Sequence, residues 1–226
     1  MAFQSLFPKH VTTTLASAAL LLMPIATLAQ DDVVEFNASN WLPQGHPLAY
    51  HSYVKWLPRL EEASGGTLKP NFFSGPVLMA PSEHLSGISN GIAQVGYHAG
   101  TYTPAQLPED NVIAQLAFNY SNPYPLAFAV TEANMTMPAL QAQWRKNNIA
   151  YLGGYSTSPY VLLCSTKIET LADMEGAKIR VPGAAQSDWV NSVGGVPVNV
   201  PSSEMYDGLD KGQLDCAAIT ALDLKI

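Results

Sequence analysis

Charge is scarce in this chain. Charged residues make up 13% of its 226 positions, and arginine occurs only at Arg59, Arg145 and Arg180. Eleven Lys and Arg stand against 18 Asp and Glu, a formal net charge of −7. No basic patch interrupts that balance, so nucleic acid is not an expected partner. Two cysteines cannot staple a disulfide mini-protein, and they cannot cage zinc without histidines at matching spacing. His46, His51, His84 and His98 show neither an HExxH pattern nor paired metal spacing, so no metal is expected. There is no Walker loop and no dinucleotide fingerprint, hence no expected cofactor. The run Gly154 to Ser158 resembles a nucleophile elbow but lacks its final glycine, so no catalytic residue is assigned. What is abundant is apolar: 47% hydrophobic residues suffice to bury a core and exclude wholesale disorder.

The amino terminus reads as an address. Met1 to His10 carry Lys9 and no acid, Val11 to Met23 form a 13-residue uncharged run, and Pro24 breaks it. Thr27-Leu28-Ala29 then precedes Gln30-Asp31-Asp32. This is the pattern of a secretory signal peptide over residues 1–29. A membrane span needs about 20 apolar residues, and this run is too short. No later stretch reaches spanning length without charge or proline, so the mature chain is expected to be exported, periplasmic and not embedded in the membrane. In that oxidising compartment Cys164 and Cys216 could pair. Each also lies in an apolar run, VLLCS and LDCAAI, where cysteine acts as a small buried hydrophobe. Both readings stand, with buried thiols preferred.

The chain contains an internal repeat. Glu83 to Gly91 (EHLSGISNG) and Glu204 to Gly212 (EMYDGLDKG) both fit E-x-[LY]-x-G-[IL]-x-x-G, offset by 121 residues. Upstream of the first lie a β-rich run, Val33 to Asn37, a helical stretch, Gly65-Gly66, and Thr67 to Phe73. Upstream of the second lie KIRVPG (Lys178 to Gly183), a helical stretch, Gly194-Gly195, and VPVNV. Each double glycine suits a helix stop. Each copy thus reads strand–helix–strand–short helix–strand, which implies parallel pairing and an α/β fold. Two such lobes leave a crevice, and ligands of α/β sheets bind beyond the carboxyl ends of strands.

Between the copies, Pro125 suits a first helical position. Leu126 to Asn147 has helical composition, with Phe128, Met135, Leu140 and Trp144 as apolar positions and Pro138 as a divider. Ile149 to Ser165 reads as a long β-rich crossing with a Gly-Gly break, the candidate hinge strand. The helix beginning at Pro47 contains Pro58 and is expected to end or bend near Trp56.

Among the arginines, Arg59 and Arg145 sit near helix ends, where cations favour the dipole. Arg180 lies at the end of a short strand, directly before Pro182-Gly183 and a new helix. A strand's carboxyl end beside helix amino-terminal amides favours an anion. The guanidinium fork can grip a carboxylate with two charge-assisted bonds. The plain alternative is a surface arginine on an alternating strand beside Lys178. Other strand ends carry rings and small polar groups. Trp41, Tyr97, His98, Tyr155, Tyr160 and Ser202 are the further candidates for touching a ligand.

The blocks LADMEGAKIRVPG and GGVPVNVPSSEMYDGLDKGQLD resemble the core signature of solute-binding proteins of tripartite ATP-independent periplasmic (TRAP) transporters. GHP before the first helix, SGGTLKPNFF and ISNGIAQVGYHAG also fit. The resemblance implies a two-lobed receptor of type II style, with hinge strands and an interlobe cleft. It would close on a small organic acid and hand it to permease subunits. Lobe 1 would take residues 30–152, and a hinge strand with lobe 2 residues 153–226. Arg180 matches the family's carboxylate-binding arginine. Some members carry a second arginine where this chain reads YSTSPYVLL, leaving Tyr155 or Tyr160 in its place, and CAAIT brings Ile219, a further candidate contact, and Thr220 where some members have Asn or Trp. These departures imply a less polar pocket and a monocarboxylate with an aromatic or apolar body. Members run on past this block, so a truncated carboxyl end, lacking the return to lobe 1 and weakened in stability, is expected. A binding protein for an ATP-driven importer or a sensor is the alternative, and a periplasmic enzyme the least favoured.

Overall fold

The computed structural model describes residues 32–116 and 122–225; the expected signal segment lies outside them. In β1 (Val34–Asn40) the apolar Phe36 and Ala38 alternate with Glu35 and Asn37, and the apolar pair is buried. Pro47–Ala49 (α1) then runs through a single π turn, Tyr50–Val54, into α2 (Trp56–Ala63). The expected break near Trp56 takes the form of a widening. Lys55 N–H donates to Tyr50 O, five residues back, just ahead of Pro58. That proline brings no N–H and crowds the carbonyl four residues before it, which the wider turn relieves. The helix stops at the double glycine. It is followed by β2 (Leu68–Ser74), a 3-10 turn at Pro81–Glu83, α3 (His84–Ser89) and β3 (Val95–Gly96). The sheet order is β2-β1-β3, all parallel.

Three helices follow: α4 (Pro108–Ala114), α5 (Pro123–Thr136) and α6 (Pro138–Lys146). Asn122 caps α5 by accepting from Tyr124 N at 3.0 Å, so that helix starts at Pro123 rather than Pro125. Met137 is extended and Pro138 opens α6, the division expected of that proline. Leu140 and Trp144 are buried as expected, and Trp144 Nε1 donates to Asn134 Oδ1 at 2.7 Å, tying α6 to α5. Phe128 and Met135 are not core residues; they are 77% and 45% exposed. The apolar residues of α5 are spread around the helix, with Thr131, Glu132, Asn134 and Thr136 among them, so composition does not tell which face is covered.

The expected hinge strand is much shorter than Ile149 to Ser165: only β4 (Tyr160–Cys164) is a strand. The stretch before it contains Gly153-Gly154 and Pro159, residues that weaken or interrupt a ladder.

The second repeat comprises β5 (Lys178–Val181), α7 (Ala184–Ser192), β6 (Val196–Asn199), a 3-10 turn at Ser202–Glu204, α8 (Met205–Asp210) and β7 (Cys216–Thr220). Its sheet order is β4-β7-β5-β6, with β5 parallel to both neighbours and β4 antiparallel to β7. Thus β6-β5-β7 reproduces β2-β1-β3, and β4 is an added edge. The nine-residue motif adopts one structure twice. Its closing glycines, Gly91 and Gly212, take φ of 79° and 66°, left-handed turns that glycine enters without strain. Its first glycines are close approaches: a side chain at Gly87 would strike Met79, and one at Gly208 would strike Leu214.

Each sheet has its own core. Phe36, Ala38, Tyr53 and Leu57 fill the first, and Met174, Ile179, Val181, Val190 and Ala218 the second. The preferred reading of the cysteines is corrected here: Cys164 and Cys216 are bonded. They stand opposite each other in the β4–β7 register, so the same antiparallel pairing that buries Cys216 also places its partner.

Candidate ligand-binding site

A cavity of about 600 Å³ is lined by residues of both repeats and of the segments between them. That volume suits a small organic molecule. Arg180 stands in its wall at the third position of β5 and is 2% exposed, which excludes the surface-arginine alternative. Its guanidinium is held from three sides. Nε donates to Val200 O at 2.8 Å, Nη1 to Ala218 O at 3.0 Å and Nη2 to the Tyr102 hydroxyl at 3.3 Å. The first two acceptors come from the strands flanking β5, Val200 just past the end of β6 and Ala218 in the middle of β7, so the sheet itself aims the side chain. Tyr102 comes from the first half of the chain, and its hydroxyl also accepts from Ser202 N at 3.1 Å.

Arg180 is the single Arg or Lys among the described lining residues. His84 and His98 add no fixed charge. Burial lowers His98 to about 4, with neighbouring His84 a smaller cause, and its Nε2 lies 3.1 Å from Thr103 Oγ1. His84 is also lowered, chiefly by burial. Its Nδ1 lies 3.0 Å from Ala80 O, which can only accept, so in the neutral ring that burial favours Nδ1 donates there and Nε2 accepts from the Ser39 hydroxyl at 3.1 Å. Asp110 is pushed up to about 6 by burial, partly offset by a hydrogen bond from Asn134.

Rings make up much of the remaining wall. Trp41 packs against Tyr97 at 4.3 Å, Tyr102 at 5.8 Å and the edge of His84 at 5.1 Å. Tyr97 packs on Tyr155 at 4.9 Å, and their hydroxyls are hydrogen-bonded. Burial raises both phenols far above their usual range, so they stay protonated. A positive fork set in a wall of neutral rings can receive one anionic group and an apolar body.

Of the residues singled out in the sequence, Trp41, Tyr97, His98, Tyr155 and Tyr160 line this cavity, as do Arg180 and Ser202. Ile219 does not. It is buried in β7, and the next residue along the alternating strand, Thr220, reaches the cavity. Sequence reasoning missed Tyr102, Gln186, His46 as a wall residue, and Asp223. Tyr102 follows Tyr97-His98 closely, but its role depends on a contact 78 residues away. Among the described residues no group of three His, Cys, Asp or Glu could hold a metal, and no helix is long and apolar enough to cross a membrane.

Several solved structures share this architecture. A TRAP solute-binding protein from Rhodoferax ferrireducens, in complex with copurified benzoate, matches with a TM-score of 0.75 and 22% identity over 83% of this chain. A marine metagenome TRAP protein with 3-hydroxybenzoate matches with 0.75 and 18% identity over 83% of this chain. One from Bordetella bronchiseptica with bound mandelate matches with 0.70 and 25% identity over 82% of this chain. The chain spans 57%, 58% and 58% of the lengths of those three proteins. The sequence model of the bacterial extracellular solute-binding proteins of family 7, DctP, matches residues 38–221. With that match over most of its length, and with two α/β sheets flanking one cleft in the two-lobed manner of TRAP solute-binding proteins, the chain belongs to the DctP family.

Proposed function

We infer that this chain is the receptor component of a TRAP-type secondary transporter, capturing a small monocarboxylate with an aromatic or apolar body and delivering it to membrane permease subunits. The observation that carries this reading is Arg180, a buried cation and the single Arg or Lys among the described residues that line a ring-walled cavity. Its bonds to Val200, Ala218 and Tyr102 use three of five guanidinium N–H groups, which leaves one on each terminal nitrogen for a carboxylate. A second carboxylate would find no second fixed cation among the described wall residues, and Asp110 would repel it when ionised. The benzoate, 3-hydroxybenzoate and mandelate in the similar structures are acids of the same kind.

On this reading residues 1–29 are a cleaved export signal, and the receptor works in the periplasm. Lobe 1 takes residues 30–152, and the hinge strand with lobe 2 residues 153–226. The candidate residues Trp41, Tyr97, His98, Tyr155, Tyr160 and Ser202 contact ligand with Arg180. Binding involves no covalent chemistry: ligand contacts from both lobes shift the population from open to closed. A thermal-shift and calorimetric series tests it. Benzoate and mandelate should raise the melting temperature, and succinate should raise it far less. Binding of succinate alone, or of no carboxylate at all, would overturn the assignment.

A further inference from the structure

His46 and Asp223 lie 177 residues apart, yet His46 Nε2 stands 2.9 Å from Asp223 Oδ1. The histidine belongs to the first half of the chain, where it is the N-cap of α1, and its Nδ1 accepts from Leu48 N at 3.2 Å. A nitrogen that accepts carries no proton, so the proton of the neutral ring is on Nε2 and is donated to Asp223. The aspartate follows β7 in the second half. Its other oxygen, Oδ2, accepts from Thr220 N at 3.1 Å and from Thr220 Oγ1 at 3.3 Å. Each partner is therefore oriented by its own half before the two meet. The imidazole is 1% exposed and the aspartate side chain 17%, so the bond is shielded from water. Both residues line the cavity that holds Arg180.

We propose that His46 and Asp223 form a latch between the two halves, positioning them for ligand capture without contributing to the choice of ligand. The preset tautomer and the preset carboxylate make a strong charge-assisted bond that exists only when the halves approach. The closed arrangement is then favoured before ligand arrives, and apparent affinity scales with the closed fraction. Loss of the latch should weaken every ligand by one common factor, about ten- to a hundredfold, the loss expected for a hydrogen bond to a charged group. This proposal rests on the receptor reading for its affinity measurement, but not for its distance measurement.

The experiment uses the full chain with spin labels at Glu62→Cys and Asp210→Cys, both exposed positions. The variants are His46→Asn, which keeps a short acceptor for the α1 cap, and Asp223→Ser, which keeps one near Thr220. Without ligand, each variant should move the label distances to longer values, and the double variant should move them no further than either single one. With benzoate and mandelate as probes, affinity should fall by the same factor for both. If distances and affinities match the parent chain while only the melting temperature drops, the contact is structural and the proposal fails. Should one variant not fold, the other decides alone. A parent chain that binds neither probe would sink the receptor reading, and the unliganded distances would still judge the latch.

Discussion

The two repeats share one topology but do unlike work at the cavity. Their strand registers are comparable through the 121-residue offset of the motif. In the first sheet Ser39 pairs with Gly96; in the second, Arg180 pairs with Ala217, the position corresponding to Gly96. Arg180 is thus the counterpart of Ser39. Where the second copy buries a cation, the first buries a hydroxyl bonded to a neutral His84. Around Ser39 the first copy presents Trp41 and Tyr97. One unit used twice has become a charged jaw and an apolar jaw. The sheets differ in bracing too. Strand β3 has two residues, whereas β7 has five, all buried, with β4 on its outer edge and a disulfide between them. A buried guanidinium needs carbonyls fixed at short range, and β7 supplies one through Ala218.

The largest break in that comparison comes from the bridge. Replacing Cys164 and Cys216 together by serine removes a cross-link over 52 residues and should lower stability by about 4 kcal/mol. Urea melts would show it, and hydrogen exchange in β7 should then approach that in β3.

The next effect concerns the apolar jaw and is pH-dependent. Asp110 titrates near 6, above its usual 3.8, because it is buried. A raised carboxyl pKa means that the folded state holds its proton more tightly than the unfolded one. Its contribution is therefore fully present below about pH 4 and lost as pH rises through 6. Asp110→Asn should stabilise the protein by about 2 to 3 kcal/mol at pH 8 and change little at pH 4. His98, lowered from 6.5 to about 4, acts in the opposite sense: its contribution is present above pH 6.5 and fades as pH falls through 4. Parallel melts at pH 4, 6 and 8 would separate the two slopes.

Smaller effects sharpen the equivalence of the repeats. Gly208→Ala and Gly87→Ala should each destabilise by about 1 to 2 kcal/mol through overpacking. The Gly87 change should be the milder, because Met79 is a flexible thioether while Leu214 is branched and buried. Ser39→Ala should cost about 1 kcal/mol, since it strips the donor from His84 Nε2 and leaves a buried acceptor unpaired. Denaturant melts check all three.

What the sequence discloses follows physical range. The motif glycines, the double glycines and the strand runs are local signals, so the repeated unit and the position of Arg180 at a strand end were legible. The disulfide was not, because a buried thiol and a bridged one occupy the same apolar runs, and only the β4–β7 register separates them. Tyr102 and the His46–Asp223 pair meet partners 78 and 177 residues away, and no spacing encodes that. Phe128 and Met135 are apolar by type yet exposed, because the apolar residues of α5 are spread around the helix and form no stripe to mark its covered face. Ile219 was one residue out of phase with Thr220, the smallest error a strand permits and enough to move a side chain to the other face.

The central claim is that one buried guanidinium grips a ligand's carboxylate while neutral rings hold its body. Calorimetry of benzoate and of its uncharged analogue benzamide, with the parent chain and with Arg180→Met, tests it most directly. The parent chain should prefer benzoate by at least a hundredfold, on the order of 3 kcal/mol for a buried charge-assisted pair, and the variant should lose that preference. Equal affinities of the parent chain for the two compounds, or a preference for benzoate that survives in Arg180→Met, would contradict the account.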